Sequence, residues 1–167
     1  MKKIDYYKKI RYEKTLSFLQ KHVPKSKKIL DLGTTNDFSE IMKNAGYNVE
    51  NTNGENLDVD FKIVSDSEAD VVTAFEIFEH MLAPFNLLNS VKKKKLIASV
   101  PLKLWFANAY WNENDDWDKH YHEFEPKQFE FLLNRSNWKI VDSEKWKSFN
   151  PKKIGIRPLL RRFNNRY

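Results

Sequence analysis

The apolar residues of this chain follow two rhythms, and each change of rhythm marks an element. From residue 3 to 22 they recur every three or four positions: Ile4 and Tyr7, then Tyr12, Leu16, Leu19 and Val23. That spacing lines them along one stripe of a helix, which Pro24 ends. Lys27 to Leu32 carries the run Ile29-Leu30-Asp31-Leu32, a short buried strand stopped by Gly33. Phe38, Ile41, Met42 and Ala45 return to the helical pattern, and Gly46 is placed to cap that helix at its C-terminus. Tyr47 to Thr52 alternates as a second strand, and Asn53-Gly54 signals a turn. Residues 57–60, Leu-Asp-Val-Asp, read as an abbreviated third strand.

Val71-Val72-Thr73-Ala74-Phe75, within Ala69 to Phe75, is continuously apolar, the pattern of a strand covered on both faces in a parallel sheet. Pro84, Leu87, Leu88 and Val91 share one face of a helix. Lys95 to Val100 is another buried strand, stopped by Pro101. Residues 102–122 are irregular, and Pro126 opens a helix with Phe129, Leu132 and Leu133 turned inward. Trp138 to Trp146 reads as a last strand. Strands alternating with helices predict an α/β fold: a Rossmann-like, doubly wound, mostly parallel sheet with helices on both faces. No repeat or Gly/Ser-rich linker divides the chain. One domain is expected over 1–167, with an N-terminal helix to residue 24, a core over 27–149 and a basic tail over 150–167.

Composition narrows the class. With 41% hydrophobic residues in 167, the chain can bury a core, and 5 Trp, 7 Tyr and 12 Phe exclude disorder throughout. Cysteine is absent, so disulfide scaffolds, thiolate metal sites and cysteine nucleophiles are excluded. No apolar run approaches the ~20 residues of a membrane span, and Met1 to Ile10 lacks an apolar signal core. A cytoplasmic protein is expected, at most peripheral at a membrane. The net charge is +6. Arg157, Arg161, Arg162 and Arg166 lie beyond the last acidic residue, Glu144, and Lys92 to Lys95 form a second basic block. With Leu159, Leu160 and Phe163 interleaved, the tail would suit either ordinary packing or a surface helix on an anionic membrane.

The chemistry-bearing positions cluster where strands end. A strand that stops at Gly33 and turns directly into a helix brings backbone close to the crevice where doubly wound sheets bind ligands. About 20 residues after such a glycine, dinucleotide-binding folds place an acid on the ribose hydroxyls. Here that position is Asn53, with Glu50 and Glu55 nearby. His120, His122 and Glu123, downstream of Asp115, Asp116 and Asp118, invite a metal reading. No helical i, i+4 pair or cysteine supports zinc, however, so no metal is expected.

Several segments, in order, resemble one family. Ile29-Leu-Asp-Leu-Gly33, a helix ending Ala45-Gly-Tyr-Asn-Val49, and Asp70-Val-Val-Thr-Ala-Phe-Glu-Ile-Phe-Glu-His80 are similar to class I S-adenosylmethionine-dependent methyltransferases. The nearest flavour is the small-molecule group typified by ubiquinone-pathway O-methyltransferases. Lys94 to Pro101 resembles that family's fifth strand. His120-Tyr-His-Glu-Phe-Glu-Pro126 and Ser136-Asn-Trp-Lys-Ile140 resemble its late segment. The resemblance runs from about Lys27 to Lys147. It implies a seven-stranded sheet of order 3-2-1-4-5-7-6, here with a short or missing last strand, and S-adenosylmethionine over strands one, two and four.

Under that resemblance Asp31 and Gly33 match the glycine-rich cofactor loop, while Thr35 and Asp37 stand where the family has its other two glycines. Asp37 reads equally as a helix-start residue. Asn53 and Asp58 would meet the ribose and the adenine edge. Phe75 and Glu76 match the cofactor-lining end of the fourth strand. Glu79 and His80 match the family's Glu-His pair. His80 and His120 are the candidate bases for an acceptor hydroxyl, since imidazole titrates near neutrality. Trp105, Trp111 and Trp117 would stack on an apolar acceptor or cover the sheet edge. The expected activity is methyl transfer to a small-molecule, lipid or sugar acceptor. Its rivals are a non-catalytic relative that serves as a binding or partner subunit, and a nucleic-acid protein. No recognised nucleic-acid motif is present, so no nucleic-acid partner is expected.

Overall fold

The computed structural model describes residues 5–91, 94–147, 154–156 and 160. The tail arginines Arg157, Arg161, Arg162 and Arg166, with the expected membrane contact, lie outside these residues, as do Lys92 and Lys93.

Four short strands carry the core: β1 (Lys28–Asp31), β2 (Asn48–Asn51), β3 (Val71–Phe75) and β4 (Lys95–Ser99). They form one all-parallel sheet in the order β2-β1-β3-β4. Alternate residues point to opposite faces, so each strand feeds two apolar layers. Ile29, Val49, Val71 and Ile97 pack under α1 (Tyr6–His22) and α2 (Asp37–Asn44), against Leu19, Phe38 and Met42. Leu30, Val72 and Ala74 pack on the other side against Leu87 and Leu88 of α4 (Pro84–Ser90) and Leu133 of α5 (Pro126–Arg135). Val64 of the short α3 (Lys62–Ser65) joins that layer. The expected α/β sheet with helices on both faces is therefore present. Among the described residues no helix is long and apolar enough to cross a membrane.

Capping chemistry sets the helix ends. Asn36 accepts from the N–H groups of Phe38 and Ser39 while Ser39 Oγ answers to the Asn36 N–H, a capping box that starts α2. Gly46, at φ +93°, takes the left-handed position just past its end. Pro84 and Pro126 open α4 and α5.

Two expected strands do not form. Residues 57–60 make a turn, because Asn56 Oδ1 captures the Asp58 N–H and Asp60 Oδ1 captures the Lys62 N–H. Local side chain–backbone bonds there replace a ladder. Residues 139–147 pair with no strand among the described residues. Trp138 is anchored through its indole N–H to the Leu88 carbonyl, and beyond it the segment lies along α1. Asp142 meets Lys21 and His22, and Glu144 meets Lys14.

Candidate functional site

The strand order reverses direction between β1 and β3: the chain leaves β1 for β2 on one side and reaches β3 and β4 on the other. In open parallel sheets that reversal leaves a crevice at the carboxyl ends of the two central strands. Gly33 follows β1 and Glu76 follows β3, and both have left-handed backbone, at φ +98° and +57°. For Gly33 this conformation comes at no steric cost; for Glu76 it is strained and is held by neighbours. The Glu76 N–H donates to Ser99 O, its Oε1 accepts from Ser99 Oγ at 2.8 Å, and its Oε2 accepts from Arg11 of α1 at 3.0 Å.

Beneath Gly33 sits a polar knot. Asp31, fully buried at the end of β1, accepts from Thr73 Oγ1 (2.6 Å), Ser39 Oγ (3.1 Å) and Asn51 Nδ2 (3.1 Å). Burial raises its carboxyl above the usual range, against the pull of these three donors. Asn51 Nδ2 also lies 3.2 Å from Gly33 O, and the Gly33 N–H donates to Thr52 Oγ1 at 2.8 Å. Asp31 thus acts on the crevice indirectly, by fixing the loop. Asn51 and Thr52, which the sequence reading passed over, are the residues that shape it.

The other positions expected to line a cofactor separate into two groups. Thr35 is exposed on the loop, and Phe75 stacks edge-on against Phe38 at 5.2 Å. Asp37, at the start of α2, is exposed and pairs with Lys8 at 2.7 Å. Asn53 lies at the end of β2, where Glu55 folds back to accept from its backbone and side-chain N–H groups. Backbone amides hold the Glu55 carboxyl below its ordinary range, so an ionised acid stands beside Asn53. Asp58 lies apart from this group. Its two oxygens accept the N–H groups of Leu82 (3.0 Å) and Ala83 (2.6 Å), capping the entry to α4 across the chain. Asp58→Ala should therefore destabilise the fold by about 1–2 kcal/mol. Urea denaturation checks this; an unchanged midpoint would show that the cap is dispensable.

A second cluster forms where the 3₁₀ turn Phe78–His80 meets residues 119–124. The Glu79 carbonyl accepts from the N–H groups of Tyr121 and His122, and the His120 N–H donates to Tyr110 O. These bonds set the rings of His80 and His120 edge to face, 4.9 Å apart. His80 Nδ1 lies 3.1 Å from Lys119 O, and His120 Nδ1 lies 3.0 Å from Glu123 Oε1. Burial, and then the neighbouring His120, lower the His80 pKa, which keeps this ring neutral. Glu79 is 1% exposed, neither of its carboxyl oxygens accepts a hydrogen bond from another described residue, and its Oε1 lies 3.8 Å from His80 Nε2. One ligand atom from each of Glu79, His80 and His120 lies within 4.8 Å of the other two.

The structure thus brings together His80 and His120, the two candidate bases. Glu79 is the third member, which the sequence reading left on a loop. Trp105, Trp111 and Trp117 remain exposed on residues 102–122, with Lys119 over the Trp111 ring. Comparisons with protein-family models, with characterised proteins and with solved structures return no match.

Proposed function

We propose that the chain binds S-adenosylmethionine over the carboxyl ends of β1 and β3 and directs its methyl group to a small hydroxylated acceptor near His80 and His120. The observation that carries this reading is the reversal of strand order between β1 and β3, with left-handed backbone at Gly33 and Glu76 on either side of it. The order β2-β1-β3-β4 also fits the 2-1-4-5 centre of the family's sheet. The residues present fit such a cofactor at the end of β2, where the ionised Glu55 supplies the acid that Asn53 lacks for ribose hydroxyls.

When bound, the cofactor supplies an electrophilic methyl group on a sulfonium. The chain's own residues bind, orient and move a proton. Gly33 and the loop fixed by Asp31 hold the backbone close. Phe75 offers an apolar wall. The neutral His80 ring, its Nδ1–H donating to Lys119 O, leaves Nε2 to accept a hydroxyl proton. Alignment of this kind contributes up to ~7–11 kcal/mol in well-oriented systems.

One observation favours a second reading, a binding or partner protein of the same fold. Lys8 and Arg11 of α1 already neutralise Asp37 and Glu76 across the crevice. Calorimetry with S-adenosylmethionine and S-adenosylhomocysteine separates the two. Ligand at one hundred times its Kd should stabilise the chain by about 2.7 kcal/mol in a thermal-shift experiment. No binding at millimolar ligand would leave the second reading in possession.

A further inference from the structure

We infer that Glu79, His80 and His120 form a binding site for one divalent cation of the zinc, manganese or iron class, with Glu123 as its positioning residue. The sequence suggested a metal only at His120, His122 and Glu123, where no helical i, i+4 pair or cysteine supports one, and it gave no reason to join Glu79 and His80 to His120. The fold brings all three together.

Three independent observations point to a cation. First, both histidines present the same tautomer. A carbonyl or carboxylate oxygen can only accept, so Nδ1 of His80 and of His120 must donate, to Lys119 O and to Glu123. With Nδ1 donating, Nε2 is the ring nitrogen left to offer a lone pair. Metal-ligating histidines are oriented in the same way, by a carbonyl or carboxylate that accepts from the opposite nitrogen. Second, the Glu79 carboxyl is buried, with no donor among the described residues on either oxygen. Buried polar groups without partners are costly, and a cation satisfies this one. Third, among the described residues no lysine or arginine hydrogen-bonds to the Glu79 carboxyl. Arg11, the basic residue nearest in influence, is bound to Glu76, which is itself tied to Ser99.

Two imidazoles and one carboxylate suit zinc, manganese or ferrous iron better than magnesium, which prefers oxygen alone. Three protein ligands leave further coordination positions for water or for an oxygen of a bound molecule. A cation there would polarise that oxygen and take over the role given above to a free imidazole. The inference shares its location with the proposed acceptor site but does not depend on methyl transfer.

The test is calorimetry on chelator-stripped protein with Zn²⁺, Mn²⁺ and Mg²⁺ salts alone, and visible spectra of the Co²⁺ form. One equivalent of Zn²⁺ or Mn²⁺ should bind, more tightly than Mg²⁺. Glu79→Gln and His120→Ala should each weaken binding at least tenfold. Glu123→Gln should weaken it by about 10–100-fold. His22→Ala, which removes a surface histidine paired with Asp142, should change nothing. Glu79→Gln keeps the size of the acid, and circular dichroism verifies that each variant folds. No saturable binding, or binding indifferent to Glu79 and His120, overturns the site. A chain that takes the metal but not S-adenosylmethionine loses the methyltransferase reading alone; the converse result removes only the metal.

Discussion

Stripped of metal, the Glu79→Gln protein should be more stable than wild type at pH 8, by several kcal/mol. Glu79 is 1% exposed, and burial, reinforced by the negative charge of Glu76, pushes its pKa from 4.5 up to about 9. Arg11 opposes this shift and Glu123 adds to it, while the neutral His80 faces the carboxyl at 3.8 Å. Between pH 4.5 and about 9 the folded chain holds a proton on Glu79 that the unfolded chain has lost. Folding therefore takes up a proton in that window. The associated stability is complete below the unfolded pKa and drains away as pH rises to the folded one. At 1.36 kcal/mol per unit the whole span is on the order of 6 kcal/mol. Glutamine has the shape of the protonated acid and no titration, so its curve should be much flatter. Urea denaturation with chelator at pH 5, 6.5 and 8 reads the difference directly. Parallel curves for the two proteins would show that Glu79 ionises freely in the folded state.

Asp31→Ala is expected to cost roughly 3–5 kcal/mol. The change strips the acceptor from Thr73 Oγ1, Ser39 Oγ and Asn51 Nδ2 at once. Two of those donors belong to buried residues, Thr73 and Ser39, so water cannot replace what is lost without opening the sheet. Asp31→Asn, which keeps the shape and one acceptor oxygen, should cost less. Guanidinium denaturation of the two variants orders them; an Asp31→Ala loss below about 1 kcal/mol would mean the knot is not structural. Because the Gly33 loop hangs on this carboxylate through Asn51, weak cofactor binding by either variant would report loop geometry and not a lost contact.

The sheet was legible for a simple reason. Ile29-Leu30 and Val71 to Ala74 are covered on both faces, and that coverage writes a continuous apolar run into the sequence. Helices α1, α2, α4 and α5 were equally plain, since each buries one stripe. The failures arise where period and pairing part company. Trp138 to Trp146 has the alternation of a strand, but its acids answer to Lys14, Lys21 and His22 of α1, and no ladder forms. Residues 57–60 have strand-like alternation too, yet Asn56 and Asp60 each take a backbone N–H two residues on, a bond of a few atoms that hydropathy does not register. At the site, Gly33 and the end of β3 could be read because backbone needs leave a mark on composition. Glu79 was singled out beside His80, but its burial and its meeting with His120 were not, because they depend on residues 119–124 folding back over the 3₁₀ turn. The one available signal was a second acid, Glu79, directly after the apolar pair Ile77-Phe78.

The attachment of residues 139–147 to α1 has a consequence of its own. The sheet is held by apolar burial, which added salt does not weaken. The contacts of Asp142 with Lys21 and of Glu144 with Lys14 are ion pairs between partly exposed groups, which contribute little. Salt weakens attraction between exposed charges progressively, as the Debye length shrinks from about 8 Å at physiological ionic strength to about 3 Å at 1 M. Ionic strength therefore acts on this molecule selectively. It loosens the strap along the first helix while the four strands stay closed, so the two halves of one chain answer to different solution conditions.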